Sequence, residues 1–241
     1  MGPSQRLNVL ILGGQSSIGR HFMQVSDKNV YNLYATTSSK FPSIMSPNYV
    51  QWLSLDVSKE SSVDLFLDNT SSTNFDVIIN LIGKTSEIGM DANGKVVSEY
   101  FNSFITNSSI LLIKLVKRLP LGSDIKPLVI NVSSRAVKYG SHDPFYSEAK
   151  SAIHGLIKSL SKVYASEIHF YNLVPGLLEN STMFEDMNLN LRNQHRDRAG
   201  GSLMKVAEFA NYLSAFIIQK YDLKEIPKIF DTDVMVGPQY L

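Results

Sequence analysis

A doubly wound α/β fold, with a parallel sheet of about seven strands and helices on both faces, is predicted by two features of the sequence. Short, near-continuous apolar runs rich in β-branched residues recur along the chain, and amphipathic stretches of helical length separate them. Strands without a polar face belong to a sheet buried on both sides, and the intervening helices supply the cover. A third feature bears on size: 241 residues at 44% hydrophobic composition, with no Pro/Gly/Ser linker or composition break, read as one domain over 1–241.

In order, the strand candidates are LNVLIL (7–12), VYNLYA (30–35), YVQWLSL (49–55), DVIINLI (76–82), PLVINVS (127–133), IHFYNLV (168–174) and PKIF (227–230). Helical periodicity is expected near 17–25, 61–68, 97–118, 145–166 and 203–220. Residues 1–5 are expected to stand outside the folded domain, as the remnant of a tag, and the polar, Asn- and Arg-rich segment 180–201 is read as either a substrate lid or a solvated helical hairpin.

Charge and composition exclude several function classes. The formal charge of +1 arises from 23 basic and 22 acidic residues spread along the chain, so no field draws in nucleic acid or an anionic membrane. The apolar runs are strand-sized, far short of the about 20 residues a membrane span needs. Zero cysteines exclude disulfides and thiolate metal sites, and no metal site is expected. Without a secretory leader the expected location is cytoplasmic, so the Asn-x-Ser/Thr triplets at Asn69, Asn107, Asn131 and Asn180 carry no glycosylation meaning.

In a sheet of this type ligands bind beyond the carboxyl ends of the strands, so the residues that follow each strand matter most. After the first strand comes a small-residue turn, Gly13, Gly14, Gln15, Ser16, Ser17, Ile18 and Gly19, leading into a helix. Unpaired amides at a helix start, approached over residues without bulk, suit a pyrophosphate. After the second strand come Thr36, Thr37, Ser38 and Lys40, and no acidic residue lies between Asp27 and Asp56. Hydroxyls and a cation suit a 2′-phosphate where a carboxylate would suit a free 2′-hydroxyl, so NADP(H) is preferred over NAD(H). Asp56-Val57 follows the third strand, and Asn80, Leu81 and Gly83 follow the fourth.

Tyr146 and Lys150 lie four residues apart on a predicted helix and so share one face. A phenol, with a pKa of about 10, becomes a useful acid or base near a cation. With 11 tyrosines in the chain, about one such pair arises by chance, so the surrounding pattern must carry the reading.

That pattern exists. Gly13-x-x-x-Ser17-Ile18-Gly19, Asp56-Val57, Asn80-x-x-Gly83, Asn107, Ser134, Tyr146-x-x-x-Lys150 and Pro175-Gly176 stand in the order found in the short-chain dehydrogenase/reductase family. The chain resembles its shorter, single-domain branch, with a Rossmann-type fold, over residues 7–237. The resemblance implies a catalytic tetrad of Asn107, Ser134, Tyr146 and Lys150. Tyr146 is then the proton donor to a carbonyl oxygen, Lys150 the contact to the nicotinamide ribose that lowers the Tyr pKa, Ser134 the holder of the substrate oxygen, and Asn107 the anchor of a water. Ser134 is favoured over Ser133, because neighbours on a strand face opposite ways and the family serine ends the run. The nicotinamide-contacting Thr matches Asn180 by direct count or Thr182 after an insertion, and Thr182 is favoured. His142 and Asp143 are read as loop residues at the pocket mouth.

Ser17 in place of the family glycine, and Leu81-Ile82 in place of Asn-Ala, depart from the pattern. The implied activity is NADP(H)-dependent reduction of a ketone or aldehyde, 3-oxoacyl or other, to an alcohol, or its reverse. A non-catalytic nucleotide-binding sensor and a nucleotide-sugar epimerase or dehydratase are the alternatives; the last normally carries a larger C-terminal domain. The apolar helices around Asn107 and Lys150 imply a homodimer or homotetramer.

Overall fold

The computed structural model describes residues 6–39, 49–122, 126–222 and 233–236. Seven strands form one all-parallel sheet: β1 (Leu7–Leu12), β2 (Tyr31–Thr37), β3 (Val50–Ser54), β4 (Val77–Asn80), β5 (Leu128–Val132), β6 (His169–Pro175) and β7 (Asp233–Val236). Their spatial order is β3-β2-β1-β4-β5-β6-β7. The order reverses between β1 and β4, which places the ligand crevice of such a sheet beyond the ends of β1, β2 and β4.

Alternation along the strands divides the core between the two faces. Val9 and Ile11 of β1 join Val77, Ile79, Ile130 and Leu173 in a cluster closed by Phe22 and Met23 of α1 (Ser17–Val25) and by Phe209 and Leu213 of α9 (Val206–Asp222). Leu10 and Leu12 join Ile78, Val129 and Phe170 on the opposite face. That face is covered by Phe66 of α2 (Glu60–Asn69), Leu111 of α4 (Ser108–Val116), and Ile153 and Ile157 of α6 (Pro144–Val163). Among the described residues no helix is long and apolar enough to cross a membrane.

Three differences from the sequence reading concern the site. The single helix expected over 97–118 is instead α3 (Gly94–Phe101), a π-helical segment (Asn102–Asn107) and α4. Strand β2 runs on through Thr36 and Thr37, whose β-branched side chains suit a strand. Segment 180–201 contains two helices, α7 (Thr182–Glu185) and α8 (Leu189–Arg198), and a further short helix, α5 (Ala136–Tyr139), follows β5. Residues 1–5 and the PKIF run at 227–230 lie outside the described residues; the seventh strand described is β7.

Candidate active site

The turn between β1 and α1 is built by local chemistry. Ser16 caps α1, its hydroxyl accepting from the Gly19 amide at 3.1 Å. Gly13 has φ +81°, open to glycine, and its amide donates to Thr36 Oγ1 at 2.9 Å. A Cβ on Gly19 would lie 2.6 Å from the Gly14 carbonyl oxygen, so only glycine lets the helix start sit so close to the turn. Beside it a cavity of about 620 Å³ runs past Gly13, Gln15 and Ser16, then Thr36, Thr37 and Ser38, then Asp56, Val57 and Ser58, then Leu81, Ile82 and Gly83. The cleft thus collects the residues after four successive strands, and its volume beside the start of α1 suits a dinucleotide.

Not every residue singled out in the sequence presents its side chain to that cleft. Gly14 packs inward: a Cβ there would meet the Ala35 side chain at 2.7 Å. The Thr36 hydroxyl is engaged under Gly13, and Thr37 Oγ1 donates to the Ser39 carbonyl at 3.2 Å. Ile18 packs against the core cluster beneath α1. The Asp56 carboxylate turns into its own loop, accepting from the Ser58 amide and hydroxyl at 3.0 and 2.6 Å and pairing with Lys59 at 3.1 Å. Burial pushes that carboxyl up, but the Ser58 bonds and Lys59 outweigh it and hold it below the usual range. No carboxylate follows β2 up to Ser39, and Lys40 lies outside the described residues.

Tyr146 and Lys150 sit on the first two turns of α6, started by Pro144 and capped by Asp143, whose Oδ1 accepts from the Tyr146 amide at 3.0 Å. Both side chains are buried. Ser134 lies beside the Tyr146 phenol, and its Oγ accepts from the Ala136 amide at 3.2 Å. Burial pushes the phenol above its usual value, the Ser134 hydroxyl pulls it down, and the Asp143 carboxylate adds to the rise. Ser133 points the other way, its Oγ 2.8 Å from His154 Nδ1.

Lys150 Nζ donates to the carbonyls of Ile82 at 3.2 Å and Val132 at 3.1 Å, and burial lowers its pKa to about 8. Gly83, at φ +135°, makes room for it: a Cβ there would lie 2.8 Å from Nζ. Asn107 closes the π-helical segment and donates from Nδ2 to the Val57 carbonyl at 2.8 Å, tying that helix to the loop after β3.

Pro175 ends β6, and the Gly176 amide donates to Val236 at 3.3 Å. Beyond them Thr182 reaches the glycine-rich turn. Its hydroxyl lies 3.0 Å from Ser17 Oγ, and its amide donates to the same oxygen at 3.1 Å. Asn180 is exposed, with φ +65°. The segment is anchored by buried Phe184, with the guanidinium groups of Arg192 and Arg196 over its ring at 5.6 and 5.0 Å, and by the Arg196–Glu179 pair at 2.6 Å. Burial, then the charges of Arg198, Arg135 and His142, lowers the His195 pKa.

Sequence reasoning missed the far wall. Asp143, read as a loop residue, also accepts from the Ser86 amide and hydroxyl at 2.6 and 2.7 Å, and Tyr100 donates to the Lys84 carbonyl at 2.8 Å. These bonds pin the 84–88 loop beside Tyr146. The sequence signal was the Asp-Pro pair at 143–144, a helix start, which says nothing of the loop it also holds.

Comparison with known proteins agrees with this geometry. A family model described as short chain dehydrogenase matches residues 7–192. A search among curated proteins finds no match. Similar solved structures include a 3-ketoacyl-(acyl-carrier-protein) reductase from Brucella melitensis complexed with NADH, 17% identical, covering 96% of this chain and 97% of that one at a TM-score of 0.76. A dehydrogenase/reductase from Sinorhizobium meliloti is 14% identical over 97% and 94% of the two chains at 0.76. A short chain dehydrogenase family protein from Francisella tularensis is 17% identical over 96% of each at 0.73. At such identities the structures speak for the fold, and the sequence model for descent: the chain belongs to the short-chain dehydrogenase family, oxidoreductases that work with a nicotinamide cofactor.

Proposed function

We propose that this chain is an NADP(H)-dependent reductase that converts a ketone or aldehyde, 3-oxoacyl or other, to an alcohol. The observation that carries the reading is the buried Tyr146 phenol with Ser134 beside it and buried Lys150 one helical turn on. The glycine-rich turn and the cavity beside it are the support for a dinucleotide. Ser38 on the cleft wall, with no carboxylate described at that strand end, supports a 2′-phosphate.

A nicotinamide bound in the cleft supplies the hydride. Ser134 orients the carbonyl oxygen, and Tyr146, kept neutral by burial, donates its proton to that oxygen as charge develops there. The Lys150 ammonium offsets the phenolate left behind. Thr182 and Ser17 close the turn side of the cleft, and the 84–88 loop excludes water from the opposite side. The exposed Ile110 on α4 and Val163 on α6 support pairing of those helices in a homo-oligomer, which light scattering checks.

The direct test is fluorescence titration with NADPH and NADH, followed by a panel of carbonyl compounds read at the nicotinamide absorbance. NADPH should bind the tighter, and reduction should outrun alcohol oxidation at about pH 7. Tyr146→Phe should retain cofactor binding and lose at least about a hundredfold in turnover. A protein that binds cofactor, turns over nothing on a broad panel and keeps its cellular role as Tyr146→Phe is a sensor instead.

A further inference from the structure

Asn80, Asn131 and Asn172 occupy matched register positions on β4, β5 and β6, and Asp233 is next in line on β7. They lie on the face that one step earlier presents Ile78, Val129 and Phe170 to the core, and the three asparagines are at most 1% exposed. A buried amide is costly unless paired, and each of these is paired. Asn80 Nδ2 donates to Asn131 Oδ1 at 2.9 Å, Asn131 Nδ2 to Asn172 Oδ1 at 2.8 Å, and Asn172 Nδ2 to Asp233 Oδ1 at 3.3 Å.

The chain of bonds then leaves the sheet. The Asp233 carboxylate takes His154 Nε2 at 3.0 Å and Lys158 Nζ at 2.7 Å, and His154 Nδ1 meets Ser133 Oγ at 2.8 Å. A carboxylate only accepts, so it fixes the hydrogen of a neutral ring on Nε2 and leaves Nδ1 to accept from the Ser133 hydroxyl. Serine, histidine and aspartate in a row suggest a hydrolytic nucleophile, but Ser133 is 4% exposed and His154 6%, so no acyl substrate reaches Oγ.

The two ends of this chain lead to the same atom. At one end Asn80 Oδ1 accepts the Ile82 amide at 3.2 Å, and the Ile82 carbonyl holds Lys150 Nζ. At the other, Ser133 shares its peptide with the Val132 carbonyl, the second acceptor of Nζ, and its amide donates to Leu173 at 2.8 Å. We propose that His154 and Asp233 are positioning residues for Lys150, closing a buried ring of hydrogen bonds through Ser133 and the three asparagines that fixes both carbonyls holding its ammonium. The ring makes β7 part of the catalytic apparatus although it bears no group that touches substrate. The inference rests on the reading of Lys150 as a member of the catalytic centre.

The test uses the full chain carrying Ser133→Ala, His154→Phe, Asp233→Val and, as the conservative change, Asp233→Asn, which keeps an oxygen acceptor of the same shape. Lys150 is titrated without cofactor by carbon NMR at its ε-methylene, assigned with Lys150→Met. An ammonium that loses a carbonyl while it stays buried is less favoured, so the midpoint should fall below about 8 in the three disrupting variants and hold in Asp233→Asn. In turnover, kcat should fall about tenfold or more in the same three while the KM for the carbonyl compound holds. Midpoint and kcat unchanged, with only a lower Tm, would overturn the proposal. Ser133→Ala removes one hydroxyl and keeps the test alive if His154→Phe does not fold. A shifted midpoint in a wild-type protein that reduces no carbonyl leaves the ring standing and removes the reductase reading.

Discussion

Lys150 puts a cation in the interior, and its effect on stability is measurable. Burial lowers its pKa from 10.5 to about 8. Below about 8 both folded and unfolded chains carry the charge, and the folded one bears the full desolvation penalty. Between about 8 and 10.5 the unfolded chain binds more protons than the folded, so stability rises with pH through that window. At about 1.4 kcal/mol per pKa unit the penalty is on the order of 3 kcal/mol at low pH, and from about pH 7 to pH 9 roughly 1 kcal/mol of it is relieved. Other groups titrate in that range, so the quantity to follow is the difference between wild type and Lys150→Met, from urea unfolding at each pH. Lys150→Met should lead at neutral pH and lose roughly 1 kcal/mol of that lead by about pH 9. Parallel curves would show that Lys150 titrates near its ordinary value and that the two carbonyls and admitted water offset its burial.

Gly83→Ala should damage activity more than stability. The new methyl must displace Lys150 Nζ from 2.8 Å, and φ +135° adds strain of about 1–3 kcal/mol, so Tm should fall modestly while turnover falls at least about tenfold. Ser17→Gly, which restores the family residue, removes both bonds to Thr182; stopped-flow should show cofactor dissociation several-fold faster, about 1 kcal/mol for the lost bonds, and an unchanged rate would mean that Thr182 is held by Phe184 alone.

The strands were legible because burial on both faces leaves continuous apolar runs, and six of the seven fall within two residues of where the sequence placed them. The π-helical segment was not. Its side chains keep a helix-like period, and the departure shows only in the backbone, with Ser108 Oγ reaching the Ser103 carbonyl five residues back at 2.9 Å. Site residues were legible where one motif carries position and role together, as at Tyr146 and Lys150. They were not where a side chain turns into its own loop, as Asp56 does to Ser58 and Lys59; Ser133, by contrast, faces away from Tyr146 to His154, as alternation along the strand predicts. The asparagine ladder left a signal, one Asn inside each of three apolar runs. Its meaning needed the strand order, since only adjacency of β4, β5 and β6 makes the three amides neighbours.

The two titrating groups are displaced in opposite senses by the same burial, and this bears on the direction of the proposed reaction. Tyr146 is moved above 10 and Lys150 down to about 8, so a proton passes downhill from the ammonium to a phenolate. After Tyr146 has given its proton to a reduced carbonyl, return of a proton from Lys150 is therefore favoured. Alcohol oxidation needs the phenolate first, which the same burial resists, with the Asp143 carboxylate adding to the resistance. The cation is half deprotonated at about pH 8, so at neutral pH most of it remains charged while it holds the two carbonyls. This ordering of proton affinities supports the proposed reduction, and the proposed ring that holds the Lys150 carbonyls keeps the ammonium in the buried place that creates the ordering.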